Sequence, residues 1–278
     1  MKVTILGAGR MGSAMAERLA ETGHQVTVWD RDADHARQAA HDGVAAAIDE
    51  AAAVSDAAVV ITMVTNGEAV RDVAERVLPA MRQEAVWVQA STVGADWADR
   101  LRALADTHKR AMIDAPVSGS TGPARSGTVS WLVSGPASAI EVARPVLDSL
   151  GERVIVAGEA QQASRLKLVV NTWMTAATVA IADTLAAADR LGVPRATLIE
   201  VIGHGPLAMP YALQKAQAMT DGDYTPGFPV ELALKDIRLT EQAEGIQPPL
   251  VHAVEERLAR AVGAGHGQDE VAAVAAVS

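Results

Sequence analysis

No cysteine occurs in the 278-residue chain, which excludes disulfides, thiolate nucleophiles and cysteine-held metals from the start. Aromatic residues are scarce too, at 3%, so a core has to be assembled from Ala, Val, Leu, Ile and Met. Positive charge is the minority sign: 24 Lys and Arg against 34 Asp and Glu leave a net charge of -10. That balance argues against nucleic acid and against an anionic membrane surface as partners, and favours a small molecule. No uncharged apolar run reaches the roughly 18 residues of a membrane span. The opening residues read directly as structure, without a cleavable signal pattern, so a soluble, cytoplasmic protein is expected. The seven histidines are scattered, with no HExxH and no carboxylate cluster, and no metal is expected.

What is present has a clear order. The length favours two domains. Short Val/Ile-rich runs alternate with longer Ala/Leu/Arg/Glu stretches of helical spacing, and predict strands at 2–7, 25–30, 57–64, 85–91, 111–118, 128–135 and 153–158. Strands alternating with helices imply βαβ units and a mostly parallel sheet. After Gly158 only helical periodicity continues, broken at 192–194, 203–210, 221–229 and 245–250. The expected architecture is an α/β dinucleotide-binding domain over 1–158 and an all-helical domain over 159–278. The last stretch, from 263 to 278, is expected to fray.

The strongest local motif is KVTILGAGRMGSAMAERL, in which Gly7, Gly9 and Gly12 form GxGxxG directly after a strand and at the opening of a helix. Gly7 permits the tight turn, Gly9 the approach of a pyrophosphate, and Gly12 close helix–strand packing, while the helix N-terminus supplies N–H donors. A glycine-rich turn alone says little. Asp30, ending the next strand about 20 residues on, stands where a carboxylate would accept the ribose hydroxyls. Asp30 and Asp32 favour NAD, whereas Arg31 between them could pair with a 2′-phosphate and keeps NADP open.

Further on, SRLKLVVNTWMTAATVAIADTL reads as one apolar helix with Lys167 and Asn171 set into it four residues apart, on one face. Their bland reading is a lysine that snorkels into solvent beside an ordinary polar residue.

Five blocks in order, GAGRMGSAMAERLAETGHQVTVWDR, ITMVTNGEAV, DAPVSGSTGPARSGTVSWLVSG, RLKLVVN and LALKD, resemble the β-hydroxyacid dehydrogenase family over nearly the full length. The resemblance implies a Rossmann domain, a long interdomain helix and an all-α C-terminal domain, with the active site in the cleft between them. It places the family's catalytic lysine on Lys167 and its partner asparagine on Asn171. An amine in a low-dielectric cleft titrates below its usual value of about 10.4, which suits proton exchange near neutrality. The substrate carboxylate falls to Ser118, Gly119 and Ser120, where this chain carries Ser120 in place of the family's usual second glycine. The cofactor side falls to Arg10 and Met11 within the glycine motif, to the loop carrying Met63, Val64 and Asn66, to Thr92 and to Lys235. Asp236 reads as a local ion-pair or capping residue. Thr172 and Asp183 depart from the family's common asparagine and glutamate.

The expected activity is hydride transfer between NAD, or NADP, and a small β-hydroxy acid or semialdehyde. Two alternatives stay open: an imine reductase, a class in which lysine is not usual at position 167, and a nucleotide-binding protein without turnover. A homodimer or homotetramer is expected through the helical half, because the long apolar helix would be poorly covered in one subunit. Tyr211 and Lys215 spell YxxxK, but deep in the helical half this reads as surface spacing. Trp173, Met174, Tyr224 and Phe228 read as core, with an apolar wall against the substrate as the alternative.

Overall fold

The computed structural model describes residues 1–243 and 248–278, so the helix break expected at 245–250 lies partly outside the described residues. The chain divides into two compact units, Met1–Lys167 and Leu168–Ser278.

The first unit runs β1 (Lys2–Leu6), α1 (Arg10–Glu21), β2 (Gln25–Trp29), α2 (Ala33–Ala39), β3 (Val44–Ala46), α3 (Glu50–Val54), β4 (Val59–Thr62) and α4 (Gly67–Val77). It continues through β5 (Val86–Gln89), α5 (Ala95–Thr107), β6 (Ala111–Asp114), β7 (Val117–Ser118), α6 (Thr121–Ser126), β8 (Val129–Ser134), α7 (Ala137–Leu150) and β9 (Gly151–Gly158). The nine strands form one sheet in the order β3-β2-β1-β4-β5-β6-β8-β7, with β9 paired on β8. From β3 to β6 every pairing is parallel, and β8 runs antiparallel to β6 and β7. The central strands β4 and β5 are buried at every position, as befits a parallel sheet covered on both faces. Successive side chains alternate faces, so Ile5 joins a core with Met15, Leu19, Trp131 and Leu147, while Leu6 joins the opposite one with Leu78, Trp87 and Leu101.

Two strand expectations need correction. The run expected as one strand over 111–118 is two, β6 and β7, interrupted at Ala115 and Pro116, because proline has no N–H to give a ladder. β3 was not anticipated, since three residues are too few to show a period of two.

α8 (Gln162–Arg190) follows, and the division between the units falls within it. It is long and apolar enough to cross a bilayer by length and composition alone, yet Val179, Ile181, Ala182 and Leu185 are packed in the core of the second unit. That unit adds α9 (Arg195–Ile202), α10 (Pro210–Asp221), α11 (Val230–Gln242) and α12 (Pro249–Ala261). Pro210 and Pro249 sit at the first helical position, where the missing N–H costs nothing, and Gly222 ends α10 in the left-handed region at φ 67°.

The C-terminal stretch does not fray. Val271, Ala272, Ala273 and Val274 are fully buried, and Val230 N and Val271 N donate to Asp269 O and Phe228 O at 3.0 and 2.8 Å. Lys215 reaches the same stretch through a 2.6 Å ion pair with Glu270, its amine 5.0 Å from the Tyr211 ring. The YxxxK spacing is therefore an internal fastening of the C-terminal segment and not a surface pattern. Trp173 also departs from expectation: it is 66% exposed, while Tyr224 and Phe228 pack against the core of the second unit.

Candidate active site

The glycine motif builds its turn where strand order reverses between β1 and β4, the position at which open parallel sheets bind ligands beyond their carboxyl ends. Gly7 sits at φ 108°, and a Cβ there would lie 2.3 Å from Met63 O. Gly12 is tighter still: its Cβ would be 1.8 Å from Gly7 O, so both glycines are required by the protein's own backbone. Gly9 is different. Its φ of -71° suits any residue, and a Cβ would meet nothing within 4 Å. The space it leaves open lies at the first turn of α1, where free amides favour an anion, so the residues present fit a dinucleotide pyrophosphate.

Asp30 is held for a task. Its Oδ2 accepts the amide of Ala8 at 2.8 Å and its Oδ1 that of Asp32 at 2.9 Å, which fixes the carboxylate beside the glycine turn with lone pairs to spare. His35 Nδ1 lies 3.7 Å from Oδ1. Asp32 caps α2 by accepting from Asp34 N at 2.9 Å, and Arg31 and Arg10 are exposed. Met11 is half-buried against the core, so packing accounts for part of its presence.

Along the same edge, Met63 and Val64 follow β4 and are half-buried. Val64 N donates to Ser91 Oγ at 2.9 Å, joining the ends of β4 and β5 next to half-buried Thr92. Asn66 caps α4, its Oδ1 accepting from Ala69 N at 2.9 Å, so its acceptor is spent on the helix and only its amide N–H groups remain as donors. Ser118 ends β7, Gly119 follows at φ 143°, and Ser120 precedes α6 without capping it, so its hydroxyl is not consumed by its own helix.

Lys167 is 9% exposed, Asn171 2% and Thr175 fully buried, at intervals of four along α8. They form a polar stripe inside an apolar helix. Asn171 Nδ2 donates to Asp236 Oδ2 at 2.5 Å, which turns Oδ1 away from the carboxylate. That Oδ1 and Thr175 Oγ1 have no hydrogen-bond partner among the described residues, a deficit that a ligand hydroxyl or an amine would satisfy. Asp236, on α11, is 3% exposed, and its Oδ1 forms an ion pair with Lys235 Nζ at 3.0 Å. The ion pair with Lys235 agrees with the local role read from the sequence. The bond to Asn171 is what sequence missed, because the two residues stand 65 apart. Only the odd placement of an acid among buried positions of α11, beside Leu234 and Ile237, could have signalled it. Thr172 bonds Leu168 O at 2.8 Å and Asp183 pairs with Arg257, so both departures from the family pattern have structural partners.

Residues 2–158 match the NAD-binding domain of 6-phosphogluconate dehydrogenase, and residues 161–277 match the NAD-binding family of NADP-dependent 3-hydroxyisobutyrate dehydrogenase. A probable 3-hydroxyisobutyrate dehydrogenase of Mycobacterium tuberculosis is 33% identical over 250 residues, 87% of this chain and 84% of the relative. The solved M. tuberculosis 3-hydroxyisobutyrate dehydrogenase with L-serine superposes with a TM-score of 0.91 at 30% identity, covering 99% of this chain and 98% of that one. Glyoxylate/succinic semialdehyde reductase 1 of Arabidopsis thaliana is 28% identical over 99% of this chain and 97% of its own. An imine reductase variant from Myxococcus stipitatus solved with NAD+ shares the fold at a TM-score of 0.68 and 22% identity, covering 98% and 97%.

Proposed function

The chain belongs to the β-hydroxyacid dehydrogenase family, and from that premise we propose how its own residues carry the reaction. It is an NAD(P)-dependent oxidoreductase of small β-hydroxy acids or the corresponding semialdehydes. A nicotinamide held beside the glycine turn would supply the hydride acceptor when the hydroxyl is oxidised to a carbonyl and the hydride donor in the reverse direction. Lys167, as the neutral amine, takes the hydroxyl proton, and as the ammonium it polarises the carbonyl and gives the proton back. Asn171, oriented by Asp236, uses Oδ1 to accept from the substrate hydroxyl or from the lysine. The backbone and hydroxyls of Ser118, Gly119 and Ser120 receive the carboxylate. Gly7, Gly9, Arg10, Met11 and Gly12 hold the pyrophosphate side, and Met63, Val64, Asn66, Thr92 and Lys235 serve the nicotinamide side.

The observation that carries this reading is the buried stripe on α8, a lysine at 9% exposure followed one turn on by an asparagine whose acceptor is unspent. Asp30 supports NAD as the preferred cofactor, since a fixed carboxylate accepts ribose hydroxyls and repels a 2′-phosphate. We take 1–158 as the dinucleotide-binding domain, which also receives the substrate carboxylate, and 159–278 as the all-helical domain, which carries Lys167 and Asn171 for the substrate and mediates self-association. The exposed Val169 and Trp173, at 65% and 66% and one turn apart on α8, support a homodimer or homotetramer through the helical half. A cytoplasmic enzyme drawing on the dinucleotide pool fits this chemistry.

The test is a panel of β-hydroxy acids, with a cyclic imine beside them, run with NAD and NADP on the parent and on Lys167→Met. Cofactor binding should survive in the variant while hydroxy-acid turnover collapses. Turnover of the imine alone, or undiminished turnover by the variant, would reject the role given to Lys167.

A further inference from the structure

Two of the donors that open α8, the amides of Ala163 and Ser164, are capped from outside their own stretch of chain. Ala160 and Gln161, which lead into the helix, lie at φ 39° and 28°, a region L residues seldom adopt, and glutamine is not a residue that favours the N-cap. These two amides are satisfied instead from the ends of two strands. Ala163 N donates to Ser134 Oγ at 3.0 Å, Ser164 N to Asp114 Oδ2 at 2.7 Å, and Ser164 Oγ to Asp114 Oδ1 at 2.7 Å. Ser134 Oγ adds a longer bond of 3.5 Å to Asp114 Oδ2. Asp114 closes β6 and Ser134 closes β8, and they are 1% and 0% exposed.

A carboxylate at this depth, bonded to serine hydroxyls and an amide and with no salt bridge within 4 Å among the described residues, is an uncommon arrangement. Burial pushes its carboxyl up to about 6, against the opposing pull of the bonds from Ser164 and Ser134 and of the nearby Arg165 guanidinium. Ser164 and Lys167 are three residues apart on α8, both buried, hence on neighbouring positions of one face. Whatever seats Ser164 seats the amine one turn later.

Resting on Lys167 as the proton carrier, we propose that Asp114 is a positioning residue for the reaction, which caps α8 from the end of β6 and so sets the depth and rotation at which Lys167 is held. The negative end of the cap also lies where the positive end of the helix dipole welcomes it. Asp114 itself moves no proton to or from the substrate.

The experiment compares Asp114→Asn and the milder Ser164→Ala with the parent and with Lys167→Met, measuring kcat, cofactor KM, melting temperature and the solvent deuterium isotope effect on kcat. An asparagine cannot accept at both atoms, so Asp114→Asn is expected to lower kcat by about ten- to a hundredfold, as a misplaced reacting group does. Cofactor KM should stay within about twofold, and the isotope effect should rise because proton transfer has become slower. Ser164→Ala should move kcat and the isotope effect the same way by less. Parental kcat and isotope effect in Asp114→Asn, with Lys167→Met dead, overturns the positioning role alone. A loss that merely follows the folded fraction, with an unchanged isotope effect in both variants, overturns it too. Turnover surviving in Lys167→Met removes the proton carrier and the positioning role together.

Discussion

Asn171 and Asp236 meet across 2.5 Å although they lie on different helices, and this single bond decides which way the asparagine amide faces. With Nδ2 committed to the carboxylate, Oδ1 is the atom left for chemistry.

Asp236→Ala removes that orientation and strips a partner from both Asn171 and Lys235. Leaving a buried amide unsatisfied costs about 1–3 kcal/mol, which for a chain of this size lowers the melting temperature by several degrees. Turnover should fall further than stability does. A calorimetric scan beside kcat measurements checks both, and an unshifted melt with full activity would refute the assignment.

Gly9 and Gly12 should separate under alanine substitution. Gly12→Ala drives a Cβ to 1.8 Å from Gly7 O and should damage folding, whereas Gly9→Ala meets nothing in the protein. A methyl in the pyrophosphate's space costs on the order of 1–3 kcal/mol, or about ten- to a hundredfold in Kd. Gly9→Ala should therefore melt like the parent and bind NAD weakly, as titration of cofactor fluorescence would report.

Asp30→Ser removes the fixed charge that faces the ribose. The ratio of kcat/KM with NADP to that with NAD should rise by about tenfold or more. A ratio that does not move would place discrimination elsewhere, with Arg31 the next candidate.

Asp114 also predicts a pH dependence of stability. Its carboxyl is raised by burial from 3.8 to about 6, so the folded state binds the proton more tightly than the unfolded chain. The stabilising contribution is then complete below pH 3.8 and is lost as pH rises through about 6. Subtracting the melting profile of Asp114→Asn from that of the parent should leave a difference that declines between those two values. A rising difference would contradict the burial argument.

Trp173 is too exposed to be core, and Trp173→Glu should weaken self-association without unfolding the subunit. Light scattering across a dilution series would show it. An unchanged assembly state would move the interface away from this turn of α8.

Much of this protein was determined by residues close together in the chain. The alternation of strands and helices, the glycine turn and the spacing of Lys167 and Asn171 are settled within a few residues, and the distance from that turn to Asp30 within one βαβ unit, by local sterics and hydrogen bonding. The tertiary structure decided what distant residues do to one another. Asp114 caps a helix whose Ser164 stands 50 positions on, and Asp236 orients an asparagine 65 positions before it. The C-terminal stretch, which looks loose by composition, is held by Glu270 against Lys215, 55 positions earlier. A buried side chain takes its partner from whatever the topology brings beside it, and no repeat along the sequence encodes that meeting.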